Sequence, residues 1–217
     1  MTLPDPFGLI LLLFGLSLAP FVAIMVTSFL KLVVVLQLLK NALGLPQIPP
    51  NSVTNGLALI LSFYIMMPVI QQTGNILEAE KVEQGGWKGE QARALFTKAQ
   101  GPIQAFLRRH SREKERDFFV TTARKIWGSG PSAALRSDDL SILVPAFTVS
   151  ELTAAFQIGF LLYLPFLIID LVVSNVLLAM GMMMVAPVTV ALPFKLLLFV
   201  LADGWTRLIH GLVLTYQ

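Results

Sequence analysis

Residues 152–192 form a run of 41 residues with a single charge, Asp170. As one straight helix the run would be about 60 Å long, twice the roughly 30 Å of hydrocarbon in a bilayer. It must therefore bend back or leave the membrane, and Gly159, Pro165, Gly181 and Pro187 are the positions where it can. Three more stretches are of the same kind. Residues 7–30 are charge-free with Pro20 inside, residues 53–77 contain Gly56, Pro68 and Gly74, and residues 192–214 close the chain's apolar part. With 55% hydrophobic and 13% charged residues, against about 25% charged in a soluble domain, the composition is that of a membrane protein.

The missing charge is concentrated elsewhere. Residues 78–141 hold 12 of the 16 Lys and Arg and 9 of the 13 Asp and Glu. This split predicts an all-α membrane protein built of two long broken helical hairpins flanking a small helical polar insert. The first hairpin is expected at 1–77, the insert at 78–141 and the second hairpin at 142–217. The first hairpin turns in residues 44–51, where Gly44 and the LPQIPP stretch forbid helix continuation. The second helical block is expected to begin near Val149, because Thr148, Val149, Ser150 and Glu151 fit a capping box.

Within the insert, Gly85-Gly86 and residues 128–131 bound helical sequence. Pro102 reads as a first-turn proline, with Ile103, Phe106 and Leu107 behind it on one face, and Phe119, Ala123, Ile126 and Trp127 form a second stripe. The run at 108–117, RRHSREKERD, interleaves five basic with three acidic residues. Mixed signs without aromatics predict a solvated helix face and no nucleic-acid binding. His110 has no second ligand nearby, and cysteine is absent, so no metal and no disulfide is expected.

Residues 180–205, MGMMMVAPVTVALPFKLLLFVLADGW, carry the chemistry. Pro187 and Pro193 interrupt helix bonding, and Met182, Met183 and Met184 are soft side chains that fill irregular gaps. Lys195 and Asp203, with Asp170 and Arg207, are expensive in hydrocarbon, about 2.5–3.5 kcal/mol each at its centre. Such charges must be paired, solvated or near an interface. Asp203 and Arg207 stand at i, i+4 with the acid first, and Asp170 on the preceding helix is the expected partner of Lys195. No HExxH, GxGD, P-loop or Ser/His motif is present. The chain is therefore expected to be no enzyme and to need no cofactor.

Positive-inside counting over the short connections, with Lys31, Lys40 and Lys195 near the hairpin turns, puts both turns in the cytoplasm and the insert outside. Residues 1–8 lack the basic n-region of a cleaved signal peptide.

The GMMM run of Gly181 to Met184 and LPFKLLLFVLADGW of Leu192 to Trp205 resemble the signature of the FliP/SctR family, the export-gate core of type III secretion. TSFLKLVVVLQLLKNALGLPQIPPN (27–51) and FTVSELTAAFQIGFLLYLPFLIIDLVVSNVLLAMGM (147–182) resemble it too. The lack of a signal favours the injectisome branch over the flagellar one. The resemblance implies a homo-oligomer of about five copies in the bacterial inner membrane, with the insert on the periplasmic side. Its implied companions are small S- and T-type subunits and the U-type switch subunit, and rod, needle and effector proteins are the implied substrates. Met182, Met183 and Met184 would then be a deformable pore gasket, with Pro165, Gly181, Pro187 and Pro193 as helix breaks. The competing expectation is a small-solute secondary transporter or ion channel using Asp170 and Lys195 as coupling charges. Inverted repeats would accompany it, and the two hairpins share no obvious motif.

Overall fold

A computed structural model describes residues 6–84, 89–128 and 136–217. They form eight helices and, among the described residues, no strand: α1 Pro6–Val26, α2 Phe29–Ala42, α3 Asn51–Gln84, α4 Gly89–His110, α5 Glu113–Trp127, α6 Leu140–Ala179, α7 Pro187–Leu201 and α8 Gly204–Leu214. Gly85, Gly86 and residues 129–131 lie outside the described residues. Asn51–Ala79 and α6 are each long and apolar enough to cross a membrane. The number rises to four if Pro20–Val26 with α2, and α7 with α8, each count as one broken span. The molecule is the all-α membrane protein its hydropathy predicts.

Two helix ends are built alike. At the end of α2 the Gly44 N–H donates to the Asn41 carbonyl and the Leu45 N–H to the Lys40 carbonyl, at 3.0 and 3.1 Å. At the end of α6 the Gly181 N–H donates to Leu178 and the Met182 N–H to Leu177, at 3.0 and 2.9 Å. Each is a Schellman closure, which needs a residue in the left-handed region, and Gly44 and Gly181 sit there at φ 78° and 71°. The Gly44 turn continues through a cis Ile48–Pro49 bond into α3.

The chain divides into two compact units, Met1–Leu30 with Met66–Ser150, and Lys31–Ile65 with Glu151–Gln217. In the first, Leu107, Ile142, Leu143, Ala146 and Phe147 form a buried cluster, and the Phe106 and Phe147 rings lie 5.7 Å apart. The Arg112 N–H, at the start of α5, donates to Ser150 Oγ at 2.9 Å. In the second, α2 supplies a buried face of Leu32, Val35, Leu36 and Leu39. These residues recur at helical spacing, so one side of a helix without charged neighbours between Lys31 and Lys40 becomes core.

Gly159 is where α6 meets that helix. A Cβ built there would strike the Leu38 side chain, its Cβ included, so the glycine permits a close helix approach. Gly159→Leu is expected to destabilise the chain by about 1–3 kcal/mol, the usual cost of overpacking. Thermal unfolding in detergent checks this, and an unchanged midpoint would contradict the close approach.

Several expectations are corrected. Gly159 and Pro165 do not break α6, and Pro193 does not interrupt α7; both helices run through them. Each proline deletes one backbone bond, and in an apolar setting the remaining bonds are worth keeping. The break falls at Gly181, and Pro187 opens α7 as its first-turn residue after Ala186. Pro20 lies within α1, and the chain breaks at Thr27–Ser28. Pro102 is interior to α4. The capping box does not start a helix: α6 already begins at Leu140, after Asp139 accepts the N–H groups of Ile142 and Leu143 at 2.9 and 2.8 Å. The Thr148 and Ser150 hydroxyls donate back to Val144 and Ala146 at 2.8 and 2.7 Å, a mid-helix habit of such residues. In α5 only Ala123 of the second stripe is buried, while Ile126 and Trp127 are exposed.

Candidate functional site

Lys195 sits on α7, eight residues past its first residue, Pro187, and its side chain is buried within the chain. It is 3% exposed. Its Nζ donates to Asp170 Oδ2 of α6 at 2.7 Å and to the Ala42 carbonyl at 3.1 Å. Ala42 is the last residue of α2, and its carbonyl is one of the groups a helix end leaves without an intrahelical partner. The positive charge there also complements the helix dipole. One ammonium therefore ties together α2, α6 and α7. Close by in sequence, Lys40, also buried, donates to Asn51 Oδ1 at 2.9 Å and so clamps the end of α2 to the start of α3. The tips of both hairpins are fixed by lysines.

Asp170→Asn and Lys195→Leu are each expected to lower the yield of folded protein, by roughly 2–4 kcal/mol of stability. That is somewhat less than for a fully dry pair, because the Asp170 side chain is 27% exposed. The double variant should recover part of the loss, as coupled neighbours do, and a strictly additive loss of yield would contradict the coupling.

A second buried cluster has almost no local signal in the sequence. Lys31 Nζ lies 3.2 Å from Glu151 Oε1, with both side chains almost wholly buried. The Tyr216 hydroxyl donates to the other carboxylate oxygen, Glu151 Oε2. The Lys31 Nζ also lies 3.7 Å from the centroid of the Tyr216 ring, a cation–π contact that gains strength where water is excluded. The pair is separated by 120 residues, and Glu151 also fits a capping box that the fold does not use. The only sequence signal was that residue 151 is a lone acid in apolar surroundings.

Between these anchored helices the chain crosses from α6 to α7 through residues 180–186. Met182, Met183 and Met184 are 40%, 82% and 101% exposed. Three flexible thioether side chains thus project from a turn closed behind by the Gly181 Schellman bonds.

Asp203 and Arg207 are not brought together as an ion pair among the described residues. The helix they were expected to share ends at Leu201, and α8 leaves α7 at 61°. Asp203 stands at the junction in the left-handed region, φ 52°, and its carboxylate accepts from the Thr206 hydroxyl at 3.2 Å. Gly204 lets the Phe199 ring pack onto the backbone where any Cβ would collide, and Phe199 meets Trp205 edge-on at 5.5 Å. Arg207 is exposed. No group of three or more metal-ligating side chains occurs among the described residues.

A family model described as FliP family matches residues 12–212. The Yop proteins translocation protein R of Yersinia pestis is 54% identical over 99% of this chain and 98% of its own length. The hypersensitivity response secretion protein HrcR of Ralstonia nicotianae is 49% identical over 97% of each chain. The flagellar biosynthetic protein FliP of Bacillus subtilis is more distant, at 40% over 96% of this chain and 90% of its own.

Proposed function

The chain belongs to the FliP family, and from that premise we propose that it is a core pore subunit of the type III secretion export apparatus, of the injectisome kind. In this reading several copies, about five, assemble in the bacterial inner membrane with small S- and T-type companions and the U-type switch subunit. Together they pass unfolded rod, needle and effector proteins. The relatives' names, translocation protein R and HrcR, support the secretion role and the injectisome branch. The same names describe parts of a secretion apparatus, which leaves the small-solute transporter without support.

One observation carries the pore assignment. In the Met182–Met184 turn, Met183 and Met184 stand almost wholly uncovered by their own chain, while the helices on both sides are locked by Lys195. A soft, long, unbranched side chain adapts to many shapes at low cost, which suits a constriction that closes on itself and on changing substrates. Pro187 and Gly181 set the turn, and Asp170, Lys195, Asp203 and Arg207 serve structure rather than transport. The broken hairpins of 1–77 and 142–217 hold the turns on the cytoplasmic side, and the polar insert of 78–141 faces the periplasm. Large apolar side chains left bare on α3, α6 and α7, among them Ile60, Phe160, Leu161 and Val200, are the surfaces for neighbouring subunits or lipid.

Native mass spectrometry of the complex purified with its companions tests the assembly. A ring of several copies carrying smaller subunits is expected. A monomer or dimer without companions would contradict the proposal.

A further inference from the structure

Arg207 borders an apolar groove of about 440 Å³ whose walls include Leu162, Phe166, Phe199 and Leu212, with Gly211 in its lining. The groove exists because α8 folds away from α7 at the Ala202–Asp203 junction. Its lining is almost all carbon, and Arg207 is the one charged residue along it. Arg207 has no ion pair among the described residues, and the only acid near it in sequence, Asp203, is engaged with Thr206. A guanidinium on an otherwise apolar membrane protein is costly unless it meets an anion or reaches the headgroup level. Outside the groove, the exposed Trp205, Thr206 and His210 stand beside Arg207 in sequence, a mixed aromatic and polar stretch of the kind found at a membrane interface.

We propose that this groove holds one acyl chain of a membrane glycerophospholipid, with the lipid's phosphodiester on the Arg207 guanidinium. Two parts of the ligand match two parts of the site. A guanidinium presents a fork of N–H donors that fits phosphate oxygens, and the contact is a charge-assisted one. The channel of carbon-lined space offers an alkyl chain the same environment as the bilayer core. Gly211 keeps it open: a Cβ there would meet nothing within 4 Å, so the space beside α8 is unfilled by the chain itself. The site requires only that the protein sits in a bilayer and does not depend on the pore assignment.

The test uses the full chain extracted in mild detergent and reconstituted into phosphatidylglycerol nanodiscs, with bound lipid counted by native mass spectrometry after release. Wild type is expected to retain one phosphatidylglycerol per chain. Arg207→Gln should retain it roughly tenfold less, as expected for loss of about one charge-assisted contact, and Arg207→Lys should restore part of the retention. Gly211→Leu fills the groove without touching the cation and improves helix propensity. It should abolish retention while leaving the unfolding midpoint at or above wild type. Equal retention in wild type, Arg207→Gln and Gly211→Leu would overturn the proposal. So would a photo-crosslinker at Leu162 that captures a second protein chain and no lipid.

Discussion

Lys31→Met is expected to destabilise the chain by about 3–5 kcal/mol, the range for removing one partner of a buried ion pair. Set against total stabilities of roughly 5–15 kcal/mol, that loss should nearly abolish accumulation of folded protein. The reason is what remains. Glu151, 3% exposed, would keep one hydrogen bond from Tyr216 and lose the ammonium that balances its charge. A carboxylate buried without a counter-charge is far costlier than a neutral group of the same size. The double variant Lys31→Met with Glu151→Gln removes both charges, keeps an acceptor for the Tyr216 hydroxyl, and should recover most of the stability. Tyr216→Phe deletes the hydroxyl but leaves the ring under the Lys31 ammonium, so its cost should be smaller, about 1–3 kcal/mol. Melting midpoints and yields in detergent give the order. A Lys31→Met protein as stable as wild type would contradict the pairing.

The two charge clusters differ in how far the sequence makes them legible. Lys195 and Asp170 lie 25 residues apart, on consecutive apolar helices joined by one turn, so antiparallel packing alone puts them at similar depth. Lys31 and Glu151 are 120 residues apart, and no local rule links them. Glu151 also had a competing local explanation, because Thr148 stands three residues before it. The fold overrode that signal: α6 was already helical from Leu140, and mid-helix the same residues turn to other partners.

Helix breaks show the same tension. Glycine at a helix end was readable at Gly44 and Gly181, since a Schellman closure demands a residue that tolerates positive φ. Proline was a poorer guide. Pro20, Pro165 and Pro193 all lie inside continuing helices, because apolar surroundings leave freed backbone groups no better partner than the helix. The break at Thr27–Ser28 has neither residue type to announce it. At Asp203 an aspartate adopts the left-handed region, which its short polar side chain tolerates, so an expected i, i+4 pair with Arg207 became a junction instead. The apolar segments and the separate polar insert were visible because hydrocarbon punishes charge strongly and everywhere. The depth and pairing of individual charges depend on contacts that no window of sequence contains.

The exposed methionine turn bears directly on the pore. Met182→Ala, Met183→Ala and Met184→Ala together shorten three side chains that project from a turn whose backbone is held by Gly181 and whose flanking helices are held by Lys195. None of the three is buried against its own chain, so the triple variant should fold and assemble normally. What it should lose is the capacity of long thioether side chains to fill a constriction. The deciding measurement is single-complex conductance in planar bilayers, on wild-type and triple-alanine assemblies purified with their companion subunits and matched for composition. The methionine seal predicts a closed wild-type complex and a triple variant that conducts small ions several-fold above it. A correctly assembled triple variant conducting no more than wild type would contradict the claim that this turn closes a channel.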